Sequence, residues 1–128
     1  MEITVGIAAE ASTFVDPEDT ALVVGSGSLR VYATPCMAAL MEGAACEALD
    51  GLLSEDKTTV GTELNISHLS ATPVGMEVRA KATVTAVDGN TITFEVTCWD
   101  EAGKIGEGTH KRVIVSTQKL LDRTYAKL

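Results

Sequence analysis

Three side chains of this sequence belong to types that perform acid–base or nucleophilic chemistry. Thr34 precedes a proline at the start of a helical pattern, and Glu42 lies inside that otherwise apolar pattern. His68 ends a predicted strand, in phase with its apolar residues. A partly desolvated carboxylate suits general acid–base or nucleophilic work, and a histidine, which titrates near neutrality, can orient a carboxylate or a water. These three residues are therefore the candidates for a catalytic site.

Each candidate also has a purely structural explanation. Thr34 explains itself as a helix N-cap, although the free N–H groups of a helix start can also polarise a carbonyl. Glu42 could simply lie at the solvated edge of the helix, and His68 could simply make one hydrogen bond to a loop carbonyl. Cys36 is a rival nucleophile, because thiol pKa values fall in the first turn of a helix.

The pattern predicts that a helix begins at Thr34-Pro35 and carries two of these side chains. Proline suits the first helical position, because the backbone N–H that it lacks has no partner there. Apolar residues then recur at the three- and four-residue spacing of a helix that buries one face, over about four or five turns. These residues are Met37, Leu40, Met41, Ala44, Ala45, Ala48 and Leu52.

Alternating apolar and polar residues predict one strand before this helix and four after it, joined largely by tight turns such as Asp88-Gly89-Asn90. Tight turns imply antiparallel pairing. The strands are expected within residues 3–15, 60–68, 76–87, around 92–98, and 104–115. On the strand at 60–68, one face is expected to hold Val60, Thr62, Leu64, Ile66 and His68.

One long apolar helix and an antiparallel sheet make the two layers of an α+β fold, and 128 residues fit a single domain, 1–128. The second face of the sheet and its edges also need cover, which favours a dimer. A short final helix is expected within 117–127, anchored by Leu120, Leu121 and Tyr125.

Composition and charge argue against several classes of function. The net charge is −8, and no basic stripe with interleaved aromatics indicates a nucleic-acid partner. No apolar run approaches the roughly 20 residues that span a membrane. The N-terminus lacks the pattern of a signal peptide, so a cytoplasmic location is expected. Three cysteines without C-x-x-C spacing and two histidines give little support for a metal site.

Several short segments over about residues 31–115 together carry a resemblance. They are Val31-Tyr32-Ala33-Thr34-Pro35, Ala39-Leu40-Met41-Glu42, Gly61-Thr62, Ser67-His68, Ala71-Thr72-Pro73-Val74-Gly75 and Ile105-Gly106-Glu107-Gly108-Thr109-His110-Lys111-Arg112. In order and spacing, they resemble the fluoroacetyl-CoA thioesterase family.

This resemblance implies a hotdog fold, in which an antiparallel β-sheet wraps a long central helix. The catalytic threonine, glutamate and histidine of the family correspond to Thr34, Glu42 and His68. Its substrate-binding glycine and arginine correspond to Gly61 and Arg112. The resemblance further implies a homodimer or a dimer of dimers, an acyl-CoA substrate, and no cofactor besides the coenzyme A of that substrate.

The function expected from this resemblance is hydrolysis of an acyl-CoA thioester to free acid and CoA. The family's fluoroacetyl enzyme has phenylalanines in a lid segment before the threonine, whereas the shorter stretch here, residues 25–30, contains none. We therefore expect a short or small acyl group rather than selection of a fluorinated one. Two alternatives stay open: a non-catalytic acyl-CoA-binding sensor, and a hotdog enoyl-thioester hydratase or dehydratase.

The spacing of two candidates sets a geometric constraint. Eight residues of straight helix separate Thr34 from Glu42 by about 12 Å, so the two cannot meet on one helix. Either Thr34 lies off the helix and folds back, or the site combines residues from two subunits, as hotdog dimers do. We favour the second arrangement. Lys104, Lys111 and Arg112 are candidates for contact with CoA phosphates, with surface charge as the alternative for the two lysines.

Overall fold

The computed structural model describes residues 2–128, which form one five-stranded antiparallel sheet and three α-helices. A 3₁₀ turn at Pro17–Asp19 precedes the first helix. In chain order the elements are β1 (Ala8–Phe14), α1 (Ala21–Val24), α2 (Thr34–Ala48), β2 (Lys57–His68), β3 (Glu77–Asp88), β4 (Thr91–Asp100), β5 (Lys104–Ser116) and α3 (Thr117–Tyr125).

The strands lie in the order β1-β3-β4-β5-β2, and α2 packs against β1, β2, β3 and β4. This arrangement confirms the predicted α+β hotdog fold. The interior is built from the apolar faces of β3 and β4, whose alternation the sequence predicted. Its fully buried members are Val78, Ala80, Ala82, Val84, Ile92, Phe94, Val96 and Cys98.

Helix α2 has the predicted length and nearly the predicted buried face. Ala33, in an extended conformation, is its N-cap, and Thr34 is already its first residue, so the expectation that Thr34 caps the helix is wrong. The helix ends at Ala48, and Gly51, with a φ of 75°, turns the chain, so Leu52 lies outside it. The buried residues of the helix are Met37, Met41, Ala44, Ala45 and Ala48.

Strand β2 contains an irregularity that the alternation did not reveal. Its register against β5 shifts between Gly61 and Glu63, where Thr62 is the extra residue of a β-bulge. A single extra residue reverses the face on which later side chains lie. Gly61 and His68 both face α2 as a result. The prediction that one face of the strand runs from Val60 to His68 is therefore wrong for the residues before the bulge.

The remaining differences concern the ends of the chain. Strand β1 begins at Ala8 rather than near residue 3, because Gly6, with a φ of 98°, turns the chain first. Helix α3 forms as predicted, but Leu121 and Tyr125 are 45% and 66% exposed and do not anchor it in this protomer. None of the helices in residues 2–128 is long and apolar enough to cross a lipid bilayer.

Gly108 lies where β5 and β2 are in close contact. A Cβ at Gly108 would overlap the backbone of Asn65 and Ile66 on the neighbouring strand. Backbone atoms of a paired strand cannot move aside without loss of ladder hydrogen bonds. We expect Gly108→Ala to lower the free energy of unfolding by about 1–3 kcal/mol, measured by chemical denaturation.

Gly43→Ala is the matched control for this substitution. Gly43 lies on the exposed side of α2, and a Cβ there would meet nothing within 4 Å. Alanine in a helix interior is better than glycine by roughly 0.5–1 kcal/mol, so this substitution should raise stability. Similar destabilisation by both substitutions would contradict the packing described for Gly108.

Candidate active site

Thr34 and His68 form a hydrogen-bonded pair at one end of α2. Helix α2 runs antiparallel to β2, so the first residue of the helix meets the last residue of the strand. The Thr34 hydroxyl oxygen lies 2.7 Å from His68 Nδ1. This is the separation of a hydroxyl and the base that activates or orients it. A cavity of about 280 Å³ lies beside the pair, with Tyr32 and Leu69 among its lining residues.

The surroundings of His68 favour its neutral form. Burial lowers the pKa of His68 from its ordinary value, and the nearby Ser70 backbone opposes this effect only in part. A neutral imidazole can accept a hydrogen bond at Nδ1 from the Thr34 hydroxyl. Its Nε2 atom is buried and has no hydrogen-bond partner within residues 2–128.

Glu42 lies at the centre of a second group of candidate residues. Its carboxylate oxygen Oε2 is 3.2 Å from Arg112 Nη1, and its side chain is 42% exposed whereas that of Arg112 is 8% exposed. A Cβ at Gly61 would stand 2.5 Å from the same oxygen. Glycine at this position of β2 therefore leaves the space that the Glu42 carboxylate occupies. The structure thus brings Glu42, Gly61 and Arg112 together.

His110 belongs to this second group, and the sequence reasoning missed it. Its Nε2 atom lies 3.2 Å from Arg112 Nη1 and 3.7 Å from Glu42 Oε2. It is buried in the core and precedes Arg112 by two residues on β5, so the two side chains share a face. The signal that could have identified it was its alternation in phase with Arg112 within the G-T-H-x-R segment.

The two groups stay separate within one protomer. Thr34 and Glu42 are both residues of α2, about 12 Å apart along its axis, and Thr34 does not fold back off the helix. Within a protomer His68 contacts Thr34 and not the Glu42 carboxylate. Arg112, from the neighbouring strand, supports Glu42 instead.

Several secondary expectations change in the structure. Burial and the nearby Asp19 raise the pKa of the Cys36 thiol, which opposes the activation expected at a helix start. Arg112 faces the interior and is only 6% exposed, and contact with CoA phosphates stays a prediction for it. Lys104 pairs with Glu107 on the surface. Within residues 2–128, no group of three or more Asp, Glu, His or Cys side chains could hold a metal ion.

Comparisons with known proteins show which family the chain belongs to. A family model described as fluoroacetyl-CoA-specific thioesterase matches residues 15–118. The fluoroacetyl-CoA thioesterase of Streptantibioticus cattleyicolor is 34% identical over 90 residues, which cover 70% of this chain. They cover 65% of that relative, so the match spans less than two thirds of its length.

Solved structures match over nearly the whole chain. The fluoroacetyl-CoA thioesterase FlK has a TM-score of 0.94 at 27% identity, over 100% of this chain and 99% of that one. A thioesterase superfamily member from Thermus thermophilus has a TM-score of 0.89 at 31% identity, over 98% of this chain and 95% of that one. With most of its length matched by the family model, the chain belongs to the fluoroacetyl-CoA-specific thioesterase family.

Proposed function

We propose that the protein is an acyl-CoA thioesterase, which hydrolyses a short or small acyl-CoA to the free acid and CoA. The observation that carries the proposal is the 2.7 Å contact between Thr34 and His68 at the start of α2. The carboxylate of Glu42, held by Arg112, supplies the second chemical group. Membership of the fluoroacetyl-CoA-specific thioesterase family supports the same activity.

The active form in this proposal is a homodimer whose sites combine both subunits. Thr34 and His68 would come from one protomer and Glu42, with Arg112 and Gly61, from the other. Two features of the protomer support this. Both groups lie along β2, which is an edge strand with a free side for pairing among the described strands. The two groups are also too far apart on α2 to act together within one chain.

In the mechanism that we propose, the thioester carbonyl lies at the start of α2. In the tautomer whose His68 Nδ1–H donates to the Thr34 hydroxyl oxygen, the Thr34 O–H can donate to the carbonyl oxygen, and the positive end of the helix dipole adds to this polarisation. The Glu42 carboxylate removes a proton from a water whose oxygen attacks the carbonyl carbon; alternatively, the carboxylate attacks directly, and a water then hydrolyses the acyl–Glu42 anhydride to the free acid and the carboxylate. The C–S bond breaks, and the sulfur takes up a proton released by that water and passed on by Glu42 or His68, so that CoA leaves as a thiol.

The proposed acyl group is small and is not selected for fluorine. The cavity beside Thr34 and His68 holds about 280 Å³, just below the usual range of ligand-site volumes. The lid segment, residues 25–30, contains no aromatic side chain, and its Leu29 is 65% exposed. Coenzyme A enters as part of the substrate; the absence of a cofactor and a cytoplasmic location stay predictions of the sequence.

Thiol release from a panel of acyl-CoA esters is the direct test. We expect turnover by the wild type, and a kcat lower by about 100-fold or more in Glu42→Gln and in His68→Ala, because each removes a group that moves protons. Glu47→Gln, on an exposed position of the same helix, is the control and should keep full activity. Tight binding of acyl-CoA without thiol release would favour the acyl-CoA-binding alternative.

Mixing two inactive variants tests the shared site. In a mixed dimer of Glu42→Gln and His68→Ala, one site would carry both substitutions and the other neither. Random pairing should therefore restore about a quarter of the wild-type activity. If each site were built within one chain, every site in the mixture would keep one defect, and no activity would return.

The pH dependence of kcat/KM tests the state of His68. Because burial lowers its pKa, His68 stays neutral to a lower pH than an exposed histidine. If the neutral form is active, kcat/KM should stay flat above neutrality and fall only with a midpoint below the ordinary value of 6.5. An NMR titration of the His68 ring, assigned with His68→Ala, should give the same midpoint. A midpoint above 6.5 would contradict this assignment.

A further inference from the structure

His110 is enclosed on three sides within the Glu42 group. Only 1% of its surface is exposed. Its Nδ1 atom lies 2.7 Å from the Glu63 carbonyl oxygen, and its Nε2 atom lies 3.2 Å from Arg112 Nη1. Its ring stacks on Phe94, with ring centroids 6.1 Å apart and planes inclined by 28°. These contacts leave the imidazole a single orientation.

The two hydrogen bonds determine which ring nitrogen carries the proton. A guanidinium N–H can only donate, and a backbone carbonyl can only accept. Nε2 therefore accepts from Arg112, and the Nδ1–H group donates to the Glu63 carbonyl. The 3.7 Å between Nε2 and Glu42 Oε2 is too long for a hydrogen bond, so His110 acts on Glu42 only through Arg112.

Arg112 is held at several points by these neighbours. Its Nε–H donates to the Thr59 hydroxyl over 2.9 Å, and Nη2 donates to the Thr59 carbonyl over 3.1 Å. Nη1 donates to both His110 and Glu42. Because the guanidinium is planar and rigid, the bonds to Thr59 and His110 determine where Nη1 points.

An uncharged hydrogen-bond acceptor behind Arg112 also leaves the positive charge of the guanidinium available to pair with Glu42. Among residues 2–128, Glu42 supplies the carboxylate found within 4.0 Å of the guanidinium. A second carboxylate in the place of His110 would compete with Glu42 for the same positive charge. The neutral imidazole satisfies a buried N–H without that competition.

We propose that His110 is a positioning residue of this site: with Thr59 it orients Arg112, which holds the Glu42 carboxylate in the direction that catalysis requires. The proposal rests on the thioesterase function proposed above. It adds to the candidate residues one that touches no substrate and acts through its neighbour.

Kinetics of His110→Leu and His110→Gln test the proposal. Leucine removes the acceptor for Arg112, so kcat should fall by about 100-fold with KM nearly unchanged, as expected for a reacting group displaced by about 1 Å. Glutamine can still accept from Arg112 and should be about tenfold faster than leucine. Thr59→Val, which removes the acceptor for Nε, should lower kcat by about tenfold. Thr109→Val, exposed on the same strand, is the control with unchanged kcat.

A double-mutant cycle separates positioning from general damage. If His110 acts through Glu42, His110→Leu should have no further effect on the residual rate of Glu42→Gln. The same loss of rate in both backgrounds would overturn the proposal, as would full activity of folded His110→Leu. His110→Gln and Thr59→Val keep the test open if His110→Leu does not fold.

An NMR measurement decides the question independently of activity. The Nε–H resonance of Arg112 should be slow to exchange in the wild type and faster to exchange, with a shifted frequency, in His110→Leu and in Thr59→Val. An unchanged resonance would overturn the positioning role. A wild type that releases no thiol from any acyl-CoA would refute the proposed function alone, because this measurement would still show whether His110 orients Arg112.

Discussion

The space between α2 and strands β2 and β5 is the constraint on which the candidate site depends. Glycines at two positions of these strands leave that space to side chains of the helix. A Cβ at Gly106 would stand 2.5 Å from the sulfur of Met37, which is fully buried, and a Cβ at Gly61 would stand equally close to the Glu42 carboxylate. Because these positions have no side chain, the ends of the Met37 and Glu42 side chains occupy the space beside the strands, and the Glu42 carboxylate contacts Arg112.

The two groups along α2 differ in their electrostatics. At the start of the helix, Thr34 faces an imidazole that burial keeps neutral over most of the physiological range. Two turns further on, a buried guanidinium holds a half-exposed carboxylate. The first group is suited to orient a carbonyl and to pass protons, and the second to present a negative charge in a defined direction. In the dimer that we propose, an antiparallel pair of helices would bring one of each to every site.

A buried arginine needs partners for its N–H groups, and this requirement accounts for much of the structure around Glu42. Thr59 supplies two acceptors and His110 a third, so that each guanidinium nitrogen has an acceptor apart from Glu42. The carboxylate then meets a group whose direction is already set, rather than a flexible surface cation. The β-bulge at Thr62 contributes as well, because it allows both Gly61 and His68 to face the helix.

The sequence by itself determined the helix, the strands, the family and five candidate residues. Those features are visible because they depend on local periodicity and on short motifs, which are properties of neighbouring residues. Thr34, Glu42 and His68 could be chosen from their types and positions, and the 12 Å between the first two was already fixed by helix geometry. Tertiary structure alone decided which residues meet. It brings His68 to Thr34 and Arg112 to Glu42, and it places His110 against Arg112. The physical reason is that the register of β2 against β5, with its one-residue shift, selects the face of every side chain beyond it, and strand alternation in the sequence carries no mark of that shift.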